Sequence, residues 1–211
     1  MRKWIGILCI TLGAICLLSA VGVMLYNHRD EQAAAVASSE LLEDIQILID
    51  NNSNNDVEPP KEPEYVATDD APEAIITEMV TVTVNGYDCI GILKIPVLEL
   101  ELPILADWSY AKLKKAPCHY YGTYYEPDFV IAGHNYKSHF GKLSQLHEGD
   151  LVIFTDATGA EYYYEVVLLE TMPKEATLAM ITSGFDLSLY TCTPGGANRV
   201  TVRCKSIDLV R

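Results

Sequence analysis

Leu189-Tyr190-Thr191-Cys192-Thr193-Pro194, continued by Gly195-Gly196-Ala197-Asn198 and then Arg199-Val200-Thr201-Val202-Arg203-Cys204, decides how the second half of this chain is read. Two β-rich runs flank a Pro-Gly-Gly turn, which predicts antiparallel strands over 187–191 and 199–207. The turn sets a thiol and a guanidinium at facing strand ends. A thiol supplies a nucleophile, and an arginine can hold the oxyanion that its attack creates. A base or proton donor is the missing group. Upstream, Phe129-Val130-Ile131-Ala132 is an apolar strand that runs through Gly133 into His134.

Working outward, the pattern from residue 80 onward is β. Thr81-Val82-Thr83-Val84, an Asn85-Gly86 turn and Ile90 to Pro96 come first, and Leu98 to Ile104 alternates as a half-buried strand should. Lys112 to Lys115 predicts a short helix and Gly141 to Gly149 a helical turn. Leu151 to Thr155 and Glu161 to Leu169 flank Asp156-Ala157-Thr158-Gly159, which makes a hairpin. About eight short strands with few helices predict a mainly β fold, a closed or partly closed barrel.

The N-terminus is different. Met1-Arg2-Lys3 is basic, and Trp4 to Tyr26 carries no charge. As a helix those residues span roughly 34 Å, enough to cross a bilayer core of about 30 Å. Arg2 and Lys3 keep the N-terminus cytoplasmic and send the rest outward. A cleaved signal peptide is the competing reading, but the run is longer than an h-region and Leu25-Tyr26-Asn27-His28 makes a poor cleavage site. Ala33 to Asp50 has helix-like apolar spacing at Val36, Leu41, Leu42, Ile45, Leu48 and Ile49, with Ser38 or Ser39 as a cap. Residues 51–64 then turn polar, acidic and proline-rich, an extended linker whose expected role is reach. The chain therefore divides into a cytoplasmic N-terminus and anchor (1–26), an acidic juxtamembrane helix and linker (27–79) and a barrel (80–211).

The formal net charge of −14 belongs mainly to that linker region. Residues 27–79 hold fourteen acidic residues against Arg29 and Lys61, and the barrel is close to neutral. Charge gives no case for nucleic-acid binding. Of six cysteines, Cys9 and Cys16 fall in the anchor; Cys89, Cys118, Cys192 and Cys204 are too sparse for a disulfide-built scaffold, though one bridge of open pairing is compatible with the spacing.

The chemistry rests on few residues. Cys192 is read either as a small buried hydrophobe or as a nucleophile; its strand-end position favours the second. A free thiol is only a few per cent ionised at pH 7, so a useful nucleophile needs a nearby cation. His28 and His147 read as surface, His139 as loop, and His119 beside Cys118 hints at metal, but no second ligand spacing supports a site and no cofactor is expected. His134 stands apart because it follows an apolar strand and a glycine. It reads as a structural hydrogen-bonder or as an acid–base group. Arg199, Arg203 and Lys205 share the last strand, with an exposed edge face as the plain reading, and Arg199 differs by opening it opposite Cys192.

Together these segments resemble the sortases, membrane-anchored cysteine transpeptidases of Gram-positive bacteria. Ile90-Gly91-Ile92-Leu93-Lys94-Ile95-Pro96 resembles the family's first core strand, Pro117 to Thr123 its helix-to-strand segment with Cys118 where glycine is usual, and Ile131-Ala132-Gly133-His134 with Phe140-Gly141-Lys142-Leu143 its histidine strand and following helix. Leu189-Tyr190-Thr191-Cys192 is similar to the TLxTC pattern, with Ser188 in place of the first threonine. The resemblance covers about residues 88–207 and implies an eight-stranded sortase-type β-barrel. It implies that Cys192 attacks the carbonyl after threonine in an LPxTG-like C-terminal sorting signal, that His134 moves the protons, and that Arg199 holds substrate and oxyanion, with Thr191 and Asn135 as substrate-binding neighbours. The implied partners are surface proteins bearing that signal and an amine acceptor, a cell-wall precursor or a pilin lysine; the implied location is the cell membrane, with the barrel extracellular. Neither a lid motif nor a second span is seen, which favours wall anchoring over pilin polymerisation. Thr193-Pro194 is similar to class C or D patterns, and the subclass stays open. A hydrolytic thiol peptidase and a stalked surface-binding barrel with a structural disulfide, such as Cys192 with Cys204, are the alternatives.

Overall fold

The computed structural model describes residues 2–54 and 79–208. A helix, α1 (Arg2–Asn54), precedes nine strands: β1 (Val82–Val84), β2 (Tyr87–Ile95), β3 (Leu100–Leu105), β4 (Cys118–Tyr121), β5 (Phe129–Ala132), β6 (Leu151–Asp156), β7 (Glu161–Pro173), β8 (Leu187–Cys192) and β9 (Asn198–Ser206). Two short helices, α2 (Tyr110–Leu113) and α3 (Thr177–Ile181), lie in connections.

The strands hydrogen-bond in the order β1-β2-β3-β4-β5-β8-β9-β7-β6, and β6 pairs again with β2. Eight strands thus close into a barrel, and β1 stands outside the ring as a hairpin arm whose Asn85-Gly86 turn has both residues at positive φ. The mainly β, eight-stranded expectation holds. Alternation sorts the side chains: Phe129 and Ile131 of β5, Leu187 and Leu189 of β8, and Val202 and Cys204 of β9 fill the interior with Phe154. Ala132, Cys118, Leu105 and Cys89 face outward into a second cluster, completed by Leu41, Ile45 and Ile49 of α1.

From Ile10 to Tyr26 the side chains are exposed, and α1 is long and apolar enough to cross a membrane. Beyond it Ala34, Ser38, Leu41, Ile45 and Ile49 make one buried stripe against the barrel. The expected juxtamembrane helix is therefore the continuation of the same rod. No cap interrupts it: the Ser39 hydroxyl donates to the Val36 carbonyl at 2.9 Å, and Ser38 is buried. Val36 and Leu48, read as apolar positions of that helix, face away from the barrel. Residues 55–78, which carry most of the expected linker, lie outside the described residues.

Three boundaries differ from the sequence reading. The strand expected from Leu98 begins at Leu100, because Pro96–Leu98 forms a single 3₁₀ turn that ends on Glu99 at φ 53°. The last strand is not an edge; β9 sits between β8 and β7, so its backbone is hydrogen-bonded on both sides. β7 runs on to Pro173, paired along its length with β9.

Candidate active site

β5 and β8 run parallel, with Ala132 level with Tyr190, and the Gly133 amide donates to the Tyr190 carbonyl at 3.0 Å. His134 and Cys192 each stand two residues beyond that pair. Both therefore lie at the same end of neighbouring strands, whose backbones are about 4.8 Å apart where they pair. Across the other side of β8, Cys192 is the direct partner of Arg199 on β9. The thiol thus sits between the imidazole strand and the guanidinium strand, at one end of the barrel.

The turn between Cys192 and Arg199 is closed by its own backbone. The Thr193 amide donates to the Asn198 carbonyl at 3.0 Å, and the Gly196 amide donates to the Thr193 carbonyl at 2.8 Å. Gly195 and Gly196 take φ of 85° and 73°, a left-handed pair that suits glycine. The glycines let so short a loop hold Arg199 opposite Cys192.

Alternation puts Ser188, Tyr190 and Cys192 of β8 on the outer face, with Arg199, Thr201 and Arg203 of β9 beside them. Thr191 has the other parity. It is buried on the inner side with Leu189, and its hydroxyl has no hydrogen-bond partner among the described residues. Thr191, named above as a substrate-binding neighbour, thus has its side chain on the face opposite Cys192.

Among the barrel thiols, burial separates Cys192 from the rest. Cys89, Cys118 and Cys204 are buried, and Cys192 is partly exposed. Burial pushes the Cys89 and Cys118 thiols up to about 12 and raises Cys204 as well. All are free, and no bridge forms among the described cysteines. A Cys192–Cys204 disulfide is excluded by register: Cys204 is level with Leu187, five residues and roughly 16 Å along β8 from Cys192.

His134 is half-buried. Its ring stacks on Tyr136 with centroids 3.8 Å apart and planes at 15°. Nδ1 is buried without a hydrogen-bond partner among the described residues, so the ring is oriented by stacking rather than by a carboxylate at that nitrogen. Burial pushes its pKa below the ordinary histidine range and Lys114 adds to this, while Asp30 and the Asn135 side chain oppose it. The neutral imidazole is therefore favoured at neutral pH. His139 is fully buried and pushed down to about 4. His119 lies between two carbonyls, Nδ1 3.1 Å from Ala106 and Nε2 2.8 Å from Gly122, a structural placement.

The arginines divide in the same way. Arg203 is buried, donating from Nε to Glu170 at 2.9 Å, from Nη1 to Ser188 at 2.9 Å and from Nη2 to the Ala179 carbonyl at 3.0 Å. It ties α3 to the barrel wall. Arg199 is partly exposed and, among the described residues, donates only a long 3.4 Å bond to the Asn198 carbonyl, which leaves its fork open to an anion.

Residues unread from the sequence complete the surroundings. Tyr120, Pro173, Met180 and Tyr190 join Arg199 around a small pocket of about 60 Å³. Tyr190 carried a signal, its parity with Cys192. Tyr136 and Asp30 carried none, because Asp30 lies more than a hundred residues from the ring it supports, with the Tyr136 hydroxyl donating to its carboxylate at 2.6 Å.

Gly133 has a steric reason. A Cβ there would meet the buried Phe140 ring at 2.3 Å. Gly133→Ala is expected to lower stability by about 1–3 kcal/mol and to misplace His134. Denaturant melts together with turnover would show both effects, and an unchanged melt would contradict the packing argument.

Comparison with known proteins agrees with this fold. A family model described as a sortase domain matches residues 93–207. Sortase D of Bacillus subtilis (strain 168) is 31% identical over 109 residues, covering 49% of this chain and 54% of the relative. The chain thus spans about half the length of that curated relative. Sortase A from Corynebacterium diphtheriae superposes with a TM-score of 0.53 at 27% identity, over 59% of this chain and 63% of that one. A Clostridium perfringens Sortase D5 transpeptidase shares the fold over 84% of this chain and 99% of its own, with a TM-score of 0.56 at 18% identity.

Proposed function

This chain belongs to the sortase family, and from that premise we propose that it is a cysteine transpeptidase using Cys192, His134 and Arg199. The Cys192 thiol gives its proton to the neutral His134 ring as its sulfur attacks the carbonyl carbon after threonine in an LPxTG-like sorting signal. Arg199 stabilises the oxyanion, the C–N bond breaks, and His134 gives its proton to the leaving amine. A thioester joins Cys192 to the surface protein. The incoming amine then attacks that thioester, loses a proton to His134 and expels the thiolate. In this reading residues 1–26 anchor the chain, and 80–211 act outside the cell on surface proteins and a cell-wall precursor amine.

The observation that carries the reading is the placement of a partly exposed thiol level with His134 on one neighbouring strand and Arg199 on the other. The short β7–β8 connection, with only the five residues of α3 in helix, agrees with the absence of a large helical insertion before the cysteine. The alternative of a surface-binding barrel built on a Cys192 disulfide has no support from these free thiols.

Incubating the full chain with a labelled sorting-signal peptide, with and without an amine nucleophile, tests the proposal. Amine-dependent ligation product and two-step ping-pong kinetics are expected. Purely hydrolytic product would favour a thiol peptidase, with water resolving the acyl enzyme.

A further inference from the structure

α1 fixes where the barrel stands relative to the membrane. The apolar stretch ends at Tyr26, and the first barrel contacts come one turn later. Asp30 accepts from Lys114 at 3.1 Å and from the Tyr136 hydroxyl at 2.6 Å, and Glu31 accepts from the Lys137 amide at 2.9 Å. Four helical residues rise only about 6 Å. At the other end of the docked stretch, Gln46, Ile49 and Asp50 lie beside Lys94, Glu101 and Glu161, some 30 Å farther along the axis. An extended spacer would hold the barrel away from the bilayer. The docked helix brings one particular end of it close.

That end carries His134, Cys192 and Arg199, and its rim has a composition unlike the rest of the chain. The loop after β3 exposes Trp108 and Tyr110, the latter 76% accessible, packed edge to face on each other. Lys115, five residues beyond Tyr110, is exposed, as is Lys137, whose amide meets Glu31 one residue along α1 from the Asp30 partner of Lys114. The chain as a whole is acidic, so clustered lysines next to exposed aromatics mark this rim off. Interfacial aromatics and lysines at this distance from a span match the headgroup layer of an anionic bilayer.

We propose that the active-site end of the barrel rests on the membrane, with Trp108, Tyr110, Lys115 and Lys137 contacting anionic lipid headgroups.

The chain has two tryptophans, so Trp4→Phe leaves Trp108 as the sole fluorophore. Full-length Trp4→Phe protein is placed in nanodiscs of phosphatidylglycerol or phosphatidylcholine, with a spin label near the headgroups. Quenching of Trp108 by the lipid label and shielding from aqueous iodide are expected, and Lys115→Glu/Lys137→Glu should lower the quenching about twofold or more in phosphatidylglycerol discs. An unchanged thermal melt for that double variant shows that the fold is kept. Trp108 open to iodide and untouched by the lipid label in both lipids would overturn the proposal. Because the readout needs no turnover, it is independent of whether Cys192 forms a thioester; the same measurement on Cys192→Ala protein separates the two failures.

Discussion

Cys192→Ala is expected to abolish acyl-enzyme formation: no thioester-linked peptide should be recovered by mass spectrometry, and turnover should fall by at least about 10⁴-fold. No other described barrel thiol can substitute. Cys89, Cys118 and Cys204 are buried, and burial holds each in its protonated form. The same contrast predicts one fast-alkylating cysteine in the barrel. The variant should fold, because Cys192 ends a strand, is partly exposed and lies outside the core clusters. Stability should therefore change by less than about 1 kcal/mol. A thioester formed by the alanine variant would refute the assignment outright.

Much of this site was legible from residue order, for a physical reason. Strand alternation and turn chemistry are local, so Leu189 to Cys192, the Pro-Gly-Gly turn and Arg199 could be placed without knowing their neighbours, and the register Cys192–Arg199 follows from the hairpin itself. The β5–β8 pairing that levels His134 with Cys192 is parallel and spans more than fifty residues, so local pattern left His134 open between a structural and a catalytic role. Strand parity was readable too, and it places Thr191 inside the barrel. The docking of α1 was not readable. Its buried stripe includes Ala34 and Ser38, which give no apolar signal, and it packs on the outer faces of Cys89, Leu105 and Cys118. Only closure of the barrel creates that surface. β4 came only from the resemblance of Pro117 to Thr123, because Cys118-His119-Tyr120-Tyr121 lacks the continuous apolar run that made the equally short β5 readable.

The second large effect separates the two partners of Cys192. His134→Ala should cost about 10²–10⁴ in kcat/KM, since both proton transfers pass through that ring. Arg199→Ala should cost about 10²–10³, the range for loss of one oxyanion donor, with Arg199→Lys recovering part of it by restoring charge without the fork. Their pH profiles should differ. Burial lowers the His134 pKa, so in the wild type kcat/KM should rise with pH through a limb below 6.5. The sign for stability follows from the same shift. A histidine depressed in the folded state disfavours the native state progressively as pH falls below 6.5, because the unfolded chain takes up the proton first. His139, pushed down to about 4, adds to that loss, so the barrel should weaken between pH 6.5 and 4. Profiles taken over minutes on protein that stays folded therefore isolate the catalytic limb. His134→Ala should erase that limb, whereas Arg199→Ala should keep it at lower amplitude. Asp30→Asn should move it to still lower pH, because the Asp30 carboxylate opposes the depression of His134. If the limb survives in His134→Ala, another group carries the proton, and the arrangement at the end of β5 is structural.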